Sequence, residues 1–209
     1  MEIVHYKLLG LTAFFLCLRV LVTYFDILPV KARRVVCEYL DLGAIASIAA
    51  LLLITFVFQV SRVEGDSMFP TLKDGQYTLV NKLVYRLHPP ERGDVIVFRS
   101  PQEPGRDYIK RVIALPGETI EIRNGRVIID GLKLKEPYVN NRPNYSRPAE
   151  KILPKHLFVL GDNRQNSSDS HLWGQLPFKL VRGKSSFILW PPSDMGLVRS
   201  YSRGNRWES

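Results

Sequence analysis

The 209-residue sequence predicts a mainly β, antiparallel domain preceded by one or two transmembrane helices. Three observations carry that prediction. Two long apolar runs lie within the first 61 residues. Beyond Ser61, short runs rich in Val, Ile, Tyr and Phe recur while helical periodicity is scarce. Asn124-Gly125 separates two alternating segments, as a type I′ hairpin turn requires.

The elements follow in order. Leu8–Phe25 is apolar but interrupted by Arg19; mid-bilayer arginine costs about 2.5 to 3.5 kcal/mol, which the surrounding Leu, Phe and Val offset. We read it as a second span, with an interfacial helix as the alternative. A cleavable leader fits poorly, because its basic N-terminal region would be Lys7 alone and no small-x-small site follows before Asp26. Residues 26–41 are read as a connecting loop containing Lys31, Arg33 and Arg34. Leu42–Ser61 has 20 residues without a charge, enough to cross about 30 Å of hydrocarbon. The basic cluster places the connection in the cytoplasm and the chain after Arg62 on the extracytoplasmic side of the cell membrane.

Residues 62–192 are read as the β domain. Its strands are expected in "QYTLVNKLVY", "DVIVFRS", "DYIKRVIAL", "TIEIRNGRVIIDG", "HLFVLGD" and "KSSFILW", with prolines between them and longer loops near 101–107 and 140–150. Residues 193–209 are read as a basic, mobile tail.

The formal charge of +9 admits a nucleic-acid or an anionic-lipid partner. The basic residues are spread along the chain without a basic helix or zinc-finger spacing, which disfavours nucleic acid. The two cysteines, Cys17 and Cys37, both precede the globular part, so no disulfide framework is expected. No histidines stand at metal-ligand spacing, and we expect no metal and no cofactor.

Acyl-transfer chemistry needs a nucleophile, a base and donors to an oxyanion. Ser67 in "EGDSMFPTL" is a candidate nucleophile, although Gly65-Asp66-Ser67 also reads as a turn. His88 and His156 sit in loop or strand-surface contexts. Lys110 in "DYIKRVIALPGE" shares a strand face with Tyr108 and Val112, opposite Ile109, Arg111 and Ile113. A lysine serves as a base only when neutral, and burial lowers its pKa toward the useful range. On an exposed strand edge the same lysine simply snorkels to water.

Four boxes in order, "GDSMFPTL" (65–72), "RGDVIVF" (92–98), "YIKRVIALPGE" (108–118) and "GDNRQNSSDSHLWG" (161–174), resemble those of bacterial type I signal peptidases, the membrane-bound Ser/Lys endopeptidases. The resemblance covers Val63 to Pro191. It implies a signal-peptidase-like β catalytic domain with Ser67 as nucleophile and Lys110 as general base. Ser167 matches a hydroxyl that bonds the base, and Asp169 a carboxylate that supports its loop. Two positions depart from the pattern. Gly65 stands where some members carry an oxyanion-donating serine, leaving the hole to the Ser67 N–H and other donors. His171 stands where an arginine is common, so a pairing with Asp169 is expected to respond to pH.

The substrates implied are exported preproteins with signal peptides ending in small-x-small residues. Such substrates call for shallow pockets beside a lipid bilayer, with anionic lipids as the second partner. Met68, Leu72, Tyr108 and Ile109 flank the implied dyad and are expected as pocket walls. A membrane-tethered β-rich binding or scaffold protein, in which Ser67 and Lys110 are structural, is the competing reading. A self-cleaving regulator of related fold is disfavoured by the membrane helix. Arg92-Gly93-Asp94 is read as a turn into a strand, and Asn166-Ser167-Ser168 as part of the site and not as a glycosylation acceptor.

Overall fold

In the computed structural model, which describes residues 2–25 and 28–201, both apolar runs are helical. Helix α1 is Glu2–Tyr24 and α2 is Val30–Leu52, continued by one π-helical stretch at Leu53–Val57. The two helices pack antiparallel. Thr12 Oγ1 and Ser47 Oγ lie 2.8 Å apart, Phe15 fills the space left by Gly43, and Arg19 is ion-paired with Asp41. A partner on the neighbouring helix therefore accommodates the arginine that interrupts the first run. Tyr6–Tyr24 and Val30–Val57 are both long and apolar enough to cross a bilayer.

The boundaries differ from the sequence reading at both ends of the second run. Residues 26–41 are not a loop: α2 begins at Val30, behind Pro29, which cannot donate a helical hydrogen bond but is tolerated at a helix start. Val35, Val36 and Leu40 extend the apolar stripe backwards, and the basic cluster rides on the first turns. At the other end the helix stops at Val57. Phe58–Arg62 forms β1, because hydropathy alone cannot distinguish a membrane-length run from one whose last residues find a strand partner.

The chain from Val60 onward is a separate compact unit. Its strands are β2 (Tyr77–Asn81), β3 (Val95–Arg99), β4 (Asp107–Ala114), β5 (Thr119–Arg123), β6 (Arg126–Ile129), β7 (Leu132–Lys133), β8 (Arg147–Lys151), β9 (His156–Leu160), β10 (Leu176–Pro177), β11 (Val181–Trp190) and β12 (Gly196–Leu197). Two short helices, α3 (Val84–Leu87) and α4 (Ser170–Trp173), join them. One sheet runs β1-β2-β11-β3-β4-β9-β10 with β12 added to β11, and a smaller one runs β7-β6-β5-β8. Every strand pair whose register is defined is antiparallel. The mainly β prediction holds.

Local chemistry explains the details. Asn124 (φ 52°) and Gly125 (φ 70°) both occupy the left-handed region, as the type I′ hairpin requires. The "QYTLVNKLVY" strand stops halfway, because Asn81 Oδ1 accepts from the N–H groups of Leu83 and Val84 and turns the chain into α3. The loop expected over 140–150 contains β8, which pairs with β5 despite its polar sequence. The tail is ordered further than expected. β12 pairs with β11, Val198 is buried, and the Arg199 carbonyl accepts from Arg111. Residues 202–209 lie outside the described residues.

Three apolar clusters fill the interior. Ile113, Ile120, Ile129 and Phe158 sit under the small sheet; Met68, Leu72, Val80 and Val97 lie on one face of the large sheet; Ile96, Phe98, Val112 and Val159 lie on the other. Strand β4 contributes to all three, so its side chains are fixed by packing from both faces.

Candidate active site

The segment after β1 folds into a series of tight turns. Gly65 adopts φ 78°, where a β-carbon is strained, and its N–H donates to Asp74 Oδ1 at 2.7 Å. Met68 and Leu72 then point into the core. Ser67, between turn and core, is pinned from the other side: its carbonyl accepts from Asn163 N–H (3.0 Å), and Asn163 Nδ2 donates to the Asp66 carbonyl (3.2 Å).

β4 brings Lys110 to the same place. Its Nζ donates to Ser67 Oγ at 2.8 Å and to the Ile109 carbonyl at 3.0 Å, and lies 5.3 Å from the Tyr108 ring centre. Lys110 is only 5% exposed. Burial pushes its ammonium down to about 8, with the charges of Asp169 and Asp162 acting in the opposite direction. This is not the snorkelling arrangement.

The pair opens onto a cleft of about 580 Å³, lined among others by Val63, Met68, Arg106, Tyr108, Ile109 and Ser168. Three of the four expected pocket walls are there. Leu72 is not: it is fully buried in the core, where it anchors the turn that carries Ser67.

Asp169 lies behind the pair, fully buried. Its carboxylate accepts from Gly161 N–H (2.9 Å) and from His171 N–H, capping α4, and faces His171 Nδ1 at 2.6 Å. The His171 ring stacks on Tyr145, with centres 3.9 Å apart. Asp169 thereby links Gly161 to the start of α4. Ser167 departs from expectation. Its Oγ is buried and has no hydrogen-bond partner among the described residues; Lys110 Nζ is turned to Ser67 and the Ile109 carbonyl instead. Gly161 has no room for a side chain: a β-carbon there would collide with Ser167 Oγ and the Ser67 carbonyl.

Sequence reasoning missed the buried arginines that hold this frame. Arg111 forms a two-pronged pair with Asp162 (2.8 and 2.7 Å) with neither side chain exposed. Arg164 is paired with Glu136, and Arg92 with Glu118. Arg92 and Asp94 are both buried, so "RGD" is a structural turn. The available signal was an arginine inside an otherwise apolar strand, as in "YIKRVIA".

A family model described as signal peptidase, peptidase S26, matches residues 36–190. The chain belongs to this family. It is a peptidase. Among its relatives, the probable signal peptidase I-1 of Synechocystis sp. is 42% identical over 172 residues, covering 79% of this chain and 88% of the relative. The signal peptidase I of Leptolyngbya laminosa is 38% identical over 173 residues, covering 79% and 85%. A crystal structure of a signal peptidase I from Enterococcus faecalis V583 is 32% identical with a TM-score of 0.42, covering 46% of this chain and 95% of that one.

In this S26-family chain the depressed lysine has a stability consequence. The folded pKa of about 8 lies below the ordinary 10.5, so between these values the unfolded chain binds a proton that the folded chain does not. Stability therefore rises with pH across that window, and below it the burial cost is present in full. Lys110→Met removes that cost. The variant is expected to be up to about 3 kcal/mol more stable at pH 7, a gain that vanishes near pH 10.5, as read by urea unfolding of the domain at both pH values.

Proposed function

We propose that this chain is a membrane-anchored serine endopeptidase that removes signal peptides from exported preproteins at small-x-small sites, with Ser67 as nucleophile and Lys110 as general base. The observation that carries the reading is a water-poor amine 2.8 Å from a hydroxyl at the floor of a cleft.

The chemistry follows from the protonation state. As an ammonium, Lys110 donates to Ser67 Oγ; once neutral, it offers a lone pair to the Ser67 O–H, and the bond reverses. Ser67 Oγ attacks the scissile carbonyl while Lys110 takes its proton. The oxyanion is met by the Ser67 N–H, since Gly65 has no hydroxyl to offer. Lys110 then returns the proton to the leaving amine, and a water activated by the same amine hydrolyses the acyl-enzyme. Val63, Met68, Tyr108 and Ile109 give the cleft an apolar lining, suited to a substrate strand with small side chains.

The two apolar helices supply the anchor. Lys31, Arg33 and Arg34 at the start of α2 favour a cytoplasmic position for that end, which puts the peptidase domain on the extracytoplasmic side.

A pH series on purified protein in detergent tests the reading. kcat/KM for a preprotein rises with pH and levels off through an apparent pKa near 8, and the product begins directly after a small-x-small sequence. A profile flat through pH 8, or cutting elsewhere, overturns the assignment.

A further inference from the structure

Tyr108 borders the dyad, and the loop that precedes it holds the far end of its side chain. The ring lines the cleft, lies 5.3 Å from Lys110 Nζ and meets the buried Phe98 edge-on, with ring centres 6.3 Å apart. Contacts to the ring alone leave rotation about the Cα–Cβ bond to be fixed by something else. The hydroxyl supplies that fixing. It donates to Glu103 Oε1 at 2.6 Å, the short separation of an O–H bonded to an ionised carboxylate. The Tyr108 hydroxyl, and then Arg106, hold the Glu103 carboxyl below its ordinary range, so it is charged at neutral pH.

Glu103 is itself held in place. Its Oε2 accepts from Arg106 Nη1 (2.6 Å), and Arg106 Nη2 donates to Glu64 (3.3 Å) in the segment that leads to Ser67. The Glu103 N–H donates to Ser100 Oγ (3.0 Å), and the Ser100 N–H closes the loop by donating to the Arg106 carbonyl (2.9 Å). One carboxylate oxygen thus serves the tyrosine and the other a guanidinium. Glu64 already gives Arg106 a counter-charge, so the phenol is the partner that sets Glu103 apart.

We propose that Glu103 is a positioning residue for substrate specificity: by holding the Tyr108 hydroxyl it fixes a wall of the cleft and so limits the size of the side chain admitted beside the scissile bond. The inference rests on the signal-peptide reading above and deepens it, because selection of small side chains requires a wall that does not yield. A well-fitted pocket tells side chains apart by one methylene roughly 10- to 200-fold. A wall free to swing aside forfeits that margin.

The test uses the full chain in detergent and two preproteins that differ only in the residue before the scissile bond, Ala or Val. Glu103→Ala raises kcat/KM for the Val preprotein, so the Ala-to-Val ratio falls about tenfold. Tyr108→Phe, which loses the hydroxyl and keeps the ring, does the same, and the double variant goes no further than either. Glu103→Gln stays within about twofold of the unaltered chain, because its amide oxygen still accepts from the hydroxyl. A merely damaged loop slows both preproteins and does not speed the bulkier one. An unchanged ratio in Glu103→Ala, additive effects in the double variant, or a Glu103→Gln variant as permissive as Glu103→Ala overturns the proposal. Failure of the unaltered chain to cut the Ala preprotein at its small-x-small site overturns the signal-peptide reading and this proposal together, whereas normal cutting with an unmoved ratio overturns this proposal alone.

Discussion

Ser67→Ala and Lys110→Ala each lower kcat for preprotein cleavage by about a thousandfold or more, and the double variant is no worse than either. The non-additivity is the informative part. A nucleophile without its base and a base without its nucleophile are equally idle, so the second deletion has nothing left to remove. Lys110→Arg does not rescue, because a guanidinium keeps its proton throughout the working pH range. Ser67→Ala leaves the unfolding midpoint in place, which separates lost chemistry from lost folding. Single-turnover cleavage of a preprotein in detergent reads all four variants. Retention of a tenth of the activity by either single variant would sink the dyad.

Asp162→Asn is expected to be the most damaging substitution for folding among those considered, costing about 3 to 5 kcal/mol, because it leaves a fully buried guanidinium without its counter-charge. The Arg111 donors are all used: two on Asp162, one each on the carbonyls of Gly93 and Arg199, and one on Thr71 Oγ1. Burial pulls the Arg111 pKa down, but Asp162 together with Tyr138 and Tyr201 outweighs it and keeps the value above the ordinary one, and the guanidinium packs 4.1 Å from the Tyr138 ring centre. The same substitution removes a negative charge that raises the Lys110 pKa, so the acid limb of the cleavage profile moves to lower pH. Pairing Asp162→Leu with Arg111→Met restores most of the stability, since neither charge is then stranded. Urea unfolding gives the first effect and the pH profile the second. A loss below about 1 kcal/mol for Asp162→Asn contradicts the role given to the pair.

What the sequence revealed depended on how local each signal was. The hairpin at Asn124-Gly125 was legible because two adjacent residues carry the whole turn. Strands β3, β4 and β9 were legible as apolar runs, and Lys110 stood out as a charge within one of them. β8 was not legible: "RPAEK" has no strand pattern of its own and is held by β5 across a long excursion. The end of the membrane run was misplaced because Phe58–Arg62 is decided by its partner strand and not by its hydropathy. The buried arginines escaped because their partners are distant in sequence, Arg111 with Asp162 and Arg164 with Glu136. Leu72 looked like a wall because it stands near Ser67 in sequence, but the intervening turn sends it inward.

The bare α-carbon at Gly161 sets a limit on how this protein can change. The loop bearing the hydroxyl and the loop bearing the supporting carboxylate meet there with no clearance, so even one added methyl would wedge them apart. Variants selected to escape an inhibitor, or to accept bulkier cargo, must therefore remodel the rim at Tyr108 and Ile109, because the hinge point beneath offers no slack to either.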